Sequence, residues 1–401
     1  MPDCQVCGLS AVTEILDLGR QPVCNRYLAA ADAPEALFPL ALGVCERCGA
    51  VQLTQWPPAE QLRPTVDWIT YNEPEAHLDA LAQSVARLPG LAPSGLVVGV
   101  SLKDETLLQR LSQLGVGRCY RLDERADLNI EGAGAGVETV QAQLTPERAA
   151  ALVARHGPAQ LVVARHIVEH AHSVRAFVTA LKILLAPGGY LLLEAPDCQA
   201  ALDLHDYTTL WEEHTLYFTS ATFRSLFGQA GLSLAFFDVC AYPFENVLAG
   251  IGRLEGGAAA ALPPEGAVAE ERHRVRAFAD GLADQRGRWG RFLAHYRRRG
   301  GSVAMLGAGH LGCAFVNFLE LKDHLAFIVD DNPHKQGLCL PASRLPIRGP
   351  QALLDSEVRL CLLGLNPGAE EKVVARNRPY TDRGGQFLSI FPGSPRALRG
   401  P

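Results

Sequence analysis

The chain has no excess of basic charge: 37 lysines and arginines stand against 43 aspartates and glutamates, a net charge of -6. Binding to nucleic acid draws on a cationic footprint, so nucleic acid is not an expected partner. The sequence also lacks an apolar run of membrane-spanning length. Where the apolar segment of a signal peptide would begin, it has Cys4 and Cys7. No membrane partner is expected, and the expected location is the cytoplasm. In that reducing compartment the eleven cysteines are expected to be free thiols and metal ligands rather than disulfides. A third scarcity is local: between Ser101 and Glu105 there is no glycine. Nothing in the sequence fixes the oligomeric state.

What is present is a globular composition, 48% hydrophobic and 20% charged, over 401 residues. That is too long for one ordinary core and implies two or three domains. Cys4-x2-Cys7 is answered by Cys45-x2-Cys48. Two such knuckles hold one tetrahedral zinc by four thiolates, and with no coordination position left open the metal is structural. Cys24, between the pairs, is expected to be unligated. Zinc would hold together a segment too small to build its own core.

From Leu96 the pattern alternates. Strands are expected at Leu96–Val100, Arg118–Leu122, Leu161–Ala164 and Tyr190–Glu194, with helices over Thr106–Leu114 and near Ser173–Leu185. Such alternation argues for a parallel sheet covered on both faces, with ligands at the carboxyl ends of the strands. Asp123 stands at one such end, either to take the hydroxyls of a ribose or as a turn residue. Ahead of this region, Tyr71, Glu73 and His77 either reach a cleft or belong to a helix start at Pro74-Glu75.

The stretch Trp211-Glu212-Glu213-His214-Thr215-Leu216-Tyr217-Phe218 places acids and an imidazole beside aromatics. A histidine titrates near neutral pH and removes protons, and an adjacent carboxylate orients it. The competing reading is a helix start with acids at its N-terminal end.

Further on, Val303–Leu306 reads as a strand followed by Gly307-x-Gly309-x-x-Gly312 at a helix start. Phe327–Val329 then leads to Asp330 about twenty residues later, the layout of a dinucleotide or phosphate site. Leu363-Gly364-Leu365-Asn366-Pro367 either lines the same crevice or is a turn. Gly256–Pro264 reads as a connector, and Glu270–Arg299 as one charged helix with a solvated arginine end.

Taken together, the four cysteines, Arg165-His166-Ile167-Val168-Glu169-His170, the Pro187-Gly188-Gly189 turn, and Glu213-His214 before Tyr217-Phe218 resemble the sugar C-methyltransferases. These bacterial enzymes use S-adenosylmethionine to methylate a carbon of a nucleotide-linked keto-deoxysugar. The resemblance implies an α/β fold: a zinc-binding module over 1–65, a class I methyltransferase Rossmann-like domain over 66–255, a connector over 256–299, and a second Rossmann-like domain over 300–401. It implies a catalytic group of His214 as base, Glu213, His166 and Tyr71, with Arg165 on the donor side. It also implies substrate contacts at Trp211, where the family usually has tyrosine, at Tyr217, and at Asn246 in the Tyr242–Asn246 loop. Gly307, Gly309, Gly312, Asp330 and Asn366 would hold the nucleotide-sugar, in competition with a nicotinamide dinucleotide and an oxidoreductase.

The chain departs from the family in the donor loop. Class I methyltransferases follow the first strand with an acid and glycines that let the backbone pass close to the donor. Here the loop reads Gly99-Val100-Ser101-Leu102-Lys103-Asp104-Glu105. Gly99 replaces the acid, Ser101 and Glu105 replace glycines, and Asp104 and Asp123 remain to hold the donor's amino group and ribose. Two outcomes are therefore expected: C-methylation with S-adenosylmethionine, or a relative without the donor that acts as a sugar-nucleotide epimerase, isomerase or binding protein.

Overall fold

The computed structural model describes residues 1–398 except Pro64, Asp67, 70–72, 132–135 and 256–260. Contacts group the chain into two compact units drawn from non-consecutive segments. The first comprises Met1–Ile15, Leu42–Gln199 and Glu213–His273, and the second Leu16–Ala41, Ala200–Glu212 and Arg274–Pro401. The boundary between Glu212 and Glu213 cuts the aromatic and acidic stretch of the sequence in two.

The chain begins with β1 (Val12–Pro22), β2 (Leu37–Cys45) and β3 (Val51–Gln55). There follow β4 (Leu96–Gly99), β5 (Arg118–Arg121), β6 (Ala159–Arg165), β7 (Leu185–Asp197), β8 (Leu216–Tyr217), β9 (Leu232–Cys240) and β10 (Asn246–Leu254). β8 pairs antiparallel with β3, Val51 opposite Tyr217, in a sheet ordered β1-β2-β3-β8. The larger sheet runs β5-β4-β6-β7-β10-β9. Its first four strands are mutually parallel, and β10 is antiparallel to both β7 and β9.

Both faces are covered at the middle of this sheet, which is why Leu96–Val98 and Leu161–Ala164 are apolar without interruption, whereas the edge strand β5 is half-exposed. On β6, Val162 and Ala164 enter one cluster with Leu191 and Leu193, while Leu161 and Val163 enter the other with Tyr190 and Leu192. The period of two in side-chain direction divides one apolar run between two cores.

The second unit carries a parallel sheet ordered β13-β12-β11-β14-β15, with β11 at Ser302–Leu306, β12 at Phe327–Val329, β13 at Ile347–Arg348, β14 at Val358–Leu363 and β15 at Gln386–Ser389. The single helix expected over Glu270–Arg299 is two helices, Glu265–Asp280 and Leu282–Arg298. They meet at Gly281, where an added Cβ would lie 2.5 Å from the His205 ring. Among the described residues no helix is long and apolar enough to cross a membrane.

Candidate active site

The four expected metal ligands converge. Cys4 Sγ lies 3.5 Å from Cys48 Sγ, and Cys7 Sγ 3.7 Å from Cys45 Sγ. All four sulfurs lie within 4.8 Å of one another. A tetrahedral zinc with Zn–S of about 2.3 Å requires S···S edges of about 3.8 Å, so the donor set fits that ion. The backbone N–H groups of Val6 and Cys7 donate to Cys4 Sγ at 3.4 Å each, which favours a thiolate. Cys24 is not part of the group. Its thiol and N–H donate to the Glu212 carboxylate, at 3.2 and 2.6 Å.

The carboxyl ends of β6 and β7 carry the densest group of titratable side chains. Arg165 is 1% exposed; its Nε donates to Glu194 Oε2 at 2.5 Å and its guanidinium also donates to the Lys103 carbonyl. His166 follows with φ +47°, a left-handed conformation that only a fixed surrounding holds in a non-glycine residue. Its N–H donates to the Glu194 carbonyl at 2.9 Å. Its ring is 3% exposed, with Nδ1 3.6 Å from Glu73 and 3.7 Å from Glu169, and Nε2 3.8 Å from Glu194. Among the described residues neither ring nitrogen is hydrogen-bonded. Burial disfavours the imidazolium, but these carboxylates outweigh it and raise the pKa of His166.

The next turn, Val168–His170, adds Glu169 and His170. His170 Nδ1 is 3.2 Å from Glu138 Oε1, and both side chains are buried. Here too burial opposes the charge and the acid prevails: His170 is raised and Glu138 lowered. Thr215 ties the opposite strand to this turn, its N–H donating to the Glu169 carbonyl at 2.6 Å and its hydroxyl to the Ala171 carbonyl at 2.7 Å. Glu213 and His214 are thereby brought to the group. Carboxylate and imidazole atoms of Glu138, His170 and Glu213 lie within 4.8 Å of one another, as do those of Glu169, His170 and His214. The His214 ring stands edge-on to His170, with centroids 4.5 Å apart and planes at 82°. His214 is half-buried whereas Glu213 is 4% exposed, so the imidazole is the member within reach of a ligand.

Glu194 on β7 also joins His77, one of the residues expected either to reach a cleft or to start a helix, to the group. His77 Nε2 is 2.9 Å from Glu194 Oε1 and its Nδ1 2.6 Å from the Tyr242 hydroxyl. Asn246 donates to Asp197 at 3.5 Å and accepts from the Tyr242 N–H at 3.3 Å. Tyr217 is fully buried, its ring 6.4 Å from that of His214. Tyr71 lies outside the described residues. Glu138, Glu169 and His170 are the functional candidates that sequence reading missed. The spacing of His166, Glu169 and His170 was the available signal for two of them, and Glu138 comes from a distant helix with no motif of its own.

The loop after β4 closes on itself. Ser101 caps the Leu102–Asp104 turn, and the Asp104 carboxylate accepts from the N–H groups of Val100, Ser101 and Arg165 at 2.7 to 2.8 Å. A Cβ on Gly99 would meet Leu108 at 2.6 Å, so this glycine serves packing inside the fold. Asp123 Oδ1 accepts from the N–H groups of Arg125 and Ala126 at 3.0 and 2.6 Å, a turn of its own making.

In the second unit the glycine loop has the spacing and the packing of a phosphate site. Gly307 has φ +117°, and a Cβ there would meet the Gly364 carbonyl at 2.4 Å; one on Gly312 would meet the Gly307 carbonyl at 2.2 Å. Around Gly309 there is open space. Asp330 Oδ2 accepts from the Ala308 N–H at 2.8 Å and from Lys335 Nζ at 3.2 Å, so its carboxylate braces the loop. Trp211 stacks on His310 with centroids 4.5 Å apart. Asn366 caps the helix Pro367–Arg376, accepting from the Gly368 N–H at 2.8 Å, which is the turn reading of that residue.

Three family models match the chain in succession: a zinc binding domain over residues 4–62, a methyltransferase domain over 80–235, and a C-methyltransferase C-terminal domain over 263–392. The three models together cover most of the chain, which is a methyltransferase with a C-methyltransferase C-terminal domain. The C-methyltransferase NovU of Streptomyces niveus is 27% identical, over 99% of this chain and 96% of its own length. Two solved structures are similar over part of the chain. One is the 1,6-didemethyltoxoflavin-N1-methyltransferase of Burkholderia thailandensis (12% identity, 45% of this chain and 79% of that one, TM-score 0.30), and the other a methyltransferase of Aquifex aeolicus (14%, 45% and 94%, TM-score 0.29). TM-scores this low add nothing to the assignment.

This methyltransferase keeps the four-cysteine module and the acid–histidine group, and its donor loop is altered. S-adenosylmethionine laid across the ends of β4 and β5 needs glycines at its approach and an acid open to its ribose. The loop instead presents Lys103 and Glu105, with Asp104 saturated by backbone N–H groups and Asp123 engaged in its turn. The residues present do not fit the donor in that manner.

Proposed function

We propose that this enzyme acts on the carbon beside the carbonyl of a nucleotide-linked keto-deoxysugar, the substrate class on which its family uses S-adenosylmethionine as methyl donor. Its own residues supply the proton removal that precedes methylation of such a carbon. A C–H bond beside a ketone becomes acidic when the enolate oxygen is stabilised, so the site needs one base and at least one donor. His214 is the base: it is half-buried, with His170 edge-on at 4.5 Å and the buried carboxylates of Glu169 and Glu213 around it. Glu213 and Glu138 hold the charge that His170 and His214 share. His166, its pKa raised by its carboxylates and its ring nitrogens without a hydrogen bond among the described residues, is the donor for the enolate oxygen. The half-exposed imidazole set against buried acids carries this reading.

The Gly307–Gly312 loop, with Lys335 Nζ 3.4 Å from the Ala308 carbonyl, serves as a diphosphate-binding element. A nicotinamide dinucleotide is the less favoured ligand, because Asp330 is already committed to Ala308 and Lys335. The enzyme is proposed to act in the cytoplasm. The test uses a nucleoside-diphosphate-linked 4-keto-6-deoxyhexose in D2O, with deuterium at the adjacent carbons read by mass spectrometry. Exchange by the wild type and none by His214→Ala, at equal zinc content, is expected. Near-normal exchange in the variant removes His214 as the base.

A further inference from the structure

Two ion-pair systems stand over the strand ends at which a parallel sheet of this kind binds its ligands. β4 and β5 are adjacent and parallel, with Gly99 in register with Arg121 at their carboxyl ends. Arg121 Nε lies 3.2 Å from Glu105 Oε2, and its Nη1 lies 2.6 Å from Glu124 Oε1. Glu105 opens the helix that follows β4, and Glu124 lies in the turn after β5. The arginine therefore bridges the start of one crossover and the start of the next. On the other side of the loop Lys103 Nζ lies 2.6 Å from Glu73 Oε1. Glu105 stands at the position of a family glycine, so the side chain that obstructs the approach is also the one that anchors the bridge.

We infer that Glu105–Arg121–Glu124, with Lys103–Glu73, forms a latch that closes the donor side of this enzyme to S-adenosylmethionine, and that proton transfer proceeds with the latch shut. The inference rests on the deprotonation proposed above only in its second half. The step balances without a donor: the carbon's proton passes to His214, the electron pair delocalises onto the carbonyl oxygen, and the proton returns to carbon. Return to the same face regenerates the substrate with its hydrogen exchanged, and return to the opposite face epimerises the carbon. The latch residues are partly exposed, 22 to 45% for Arg121, Glu105 and Glu124, so each pair is individually weak and their removal leaves the fold intact.

The test is calorimetric titration of the full chain with S-adenosylhomocysteine and with S-adenosylmethionine. It compares the wild type with Glu105→Gly and, because glycine weakens a helix start, also with Arg121→Met and Lys103→Asn. Each protein is checked for its zinc. The wild type is expected to show no binding at ligand concentrations up to about 1 mM, a free energy near 4 kcal/mol. Glu105→Gly or Arg121→Met is expected to bind at least about tenfold more tightly, about 1.4 kcal/mol. Micromolar binding by the wild type overturns the closure. No gain in any variant overturns the assignment of the latch. Deuterium exchange without donor, lost in His214→Ala, is read separately, so failure of the proton-transfer reading is distinguishable from failure of the latch.

Discussion

The buried pair of Glu138 and His170 gives a prediction whose size follows from its geometry. Its atoms are 3.2 Å apart, with the two side chains 7% and 8% exposed. Unit charges at that distance attract by about 5 kcal/mol at an effective dielectric constant of 20. Glu138→Ala removes the acid and leaves the imidazolium buried, and breaking a buried pair in this way costs about 3–5 kcal/mol. At about 2–4 °C per kcal/mol for a unit of this size, the first thermal transition falls by roughly 6–20 °C at neutral pH.

The pH dependence fixes the cause. Burial works against both charges, but the partner raises His170 above its ordinary 6.5 and lowers Glu138 below its ordinary 4.5. The histidine's contribution is complete below 6.5 and is lost as pH rises through its raised value. The acid's contribution is complete above 4.5 and is lost as pH falls through its lowered value. The gap between wild type and Glu138→Ala, followed by scanning fluorimetry from pH 5 to 10, is therefore widest below 6.5 and narrows toward alkaline pH. A gap below about 1 kcal/mol, or one that does not change with pH, would refute the argument from the ion pair.

Other positions yield sharper single measurements. Cys45→Ser removes one of four closed ligands, so zinc measured by mass spectrometry drops from about one per chain to a small fraction, and the first unit unfolds at lower temperature. Gly307→Ala places a Cβ 2.4 Å from the Gly364 carbonyl in a left-handed backbone conformation and destabilises the second unit by several kcal/mol, visible in urea unfolding. Gly309→Ala meets nothing within 4 Å, so stability changes by less than about 1 kcal/mol while affinity for a nucleoside diphosphate falls. Equal stability loss in the two glycine variants would contradict the assignment of Gly309 to ligand approach. Arg165→Met leaves Glu194 buried beside His77 and His166 without its guanidinium, and lowers stability by about 3–5 kcal/mol in the same assay.

Much of this architecture is written in local pattern. Paired cysteines at a spacing of three share one metal because a knuckle turn points both sulfurs inward, and the first and second pairs do meet. Apolar runs separated by amphipathic segments give a parallel sheet because each run must be buried on both faces, and the strands from β4 to β7 fall where the runs are. The glycine loop is legible because only glycine tolerates the approaches at Gly307 and Gly312. What local pattern does not carry is the meeting of segments far apart in the chain. Glu138, His170 and Glu213 belong to three separate elements and converge because Thr215 pins one strand end to the turn after another. The departures in the donor loop were visible as residue types, but a lysine and a glutamate in a loop are ordinarily solvated. Register alone sets Arg121 beside Gly99, and that placement gives Glu105 a partner on β5. Sequence thus determined which chemistries were available, since residue type and spacing act through local geometry. Tertiary structure decided which of them face one another, because electrostatic and hydrogen-bond energies depend on distances that only the folded chain defines.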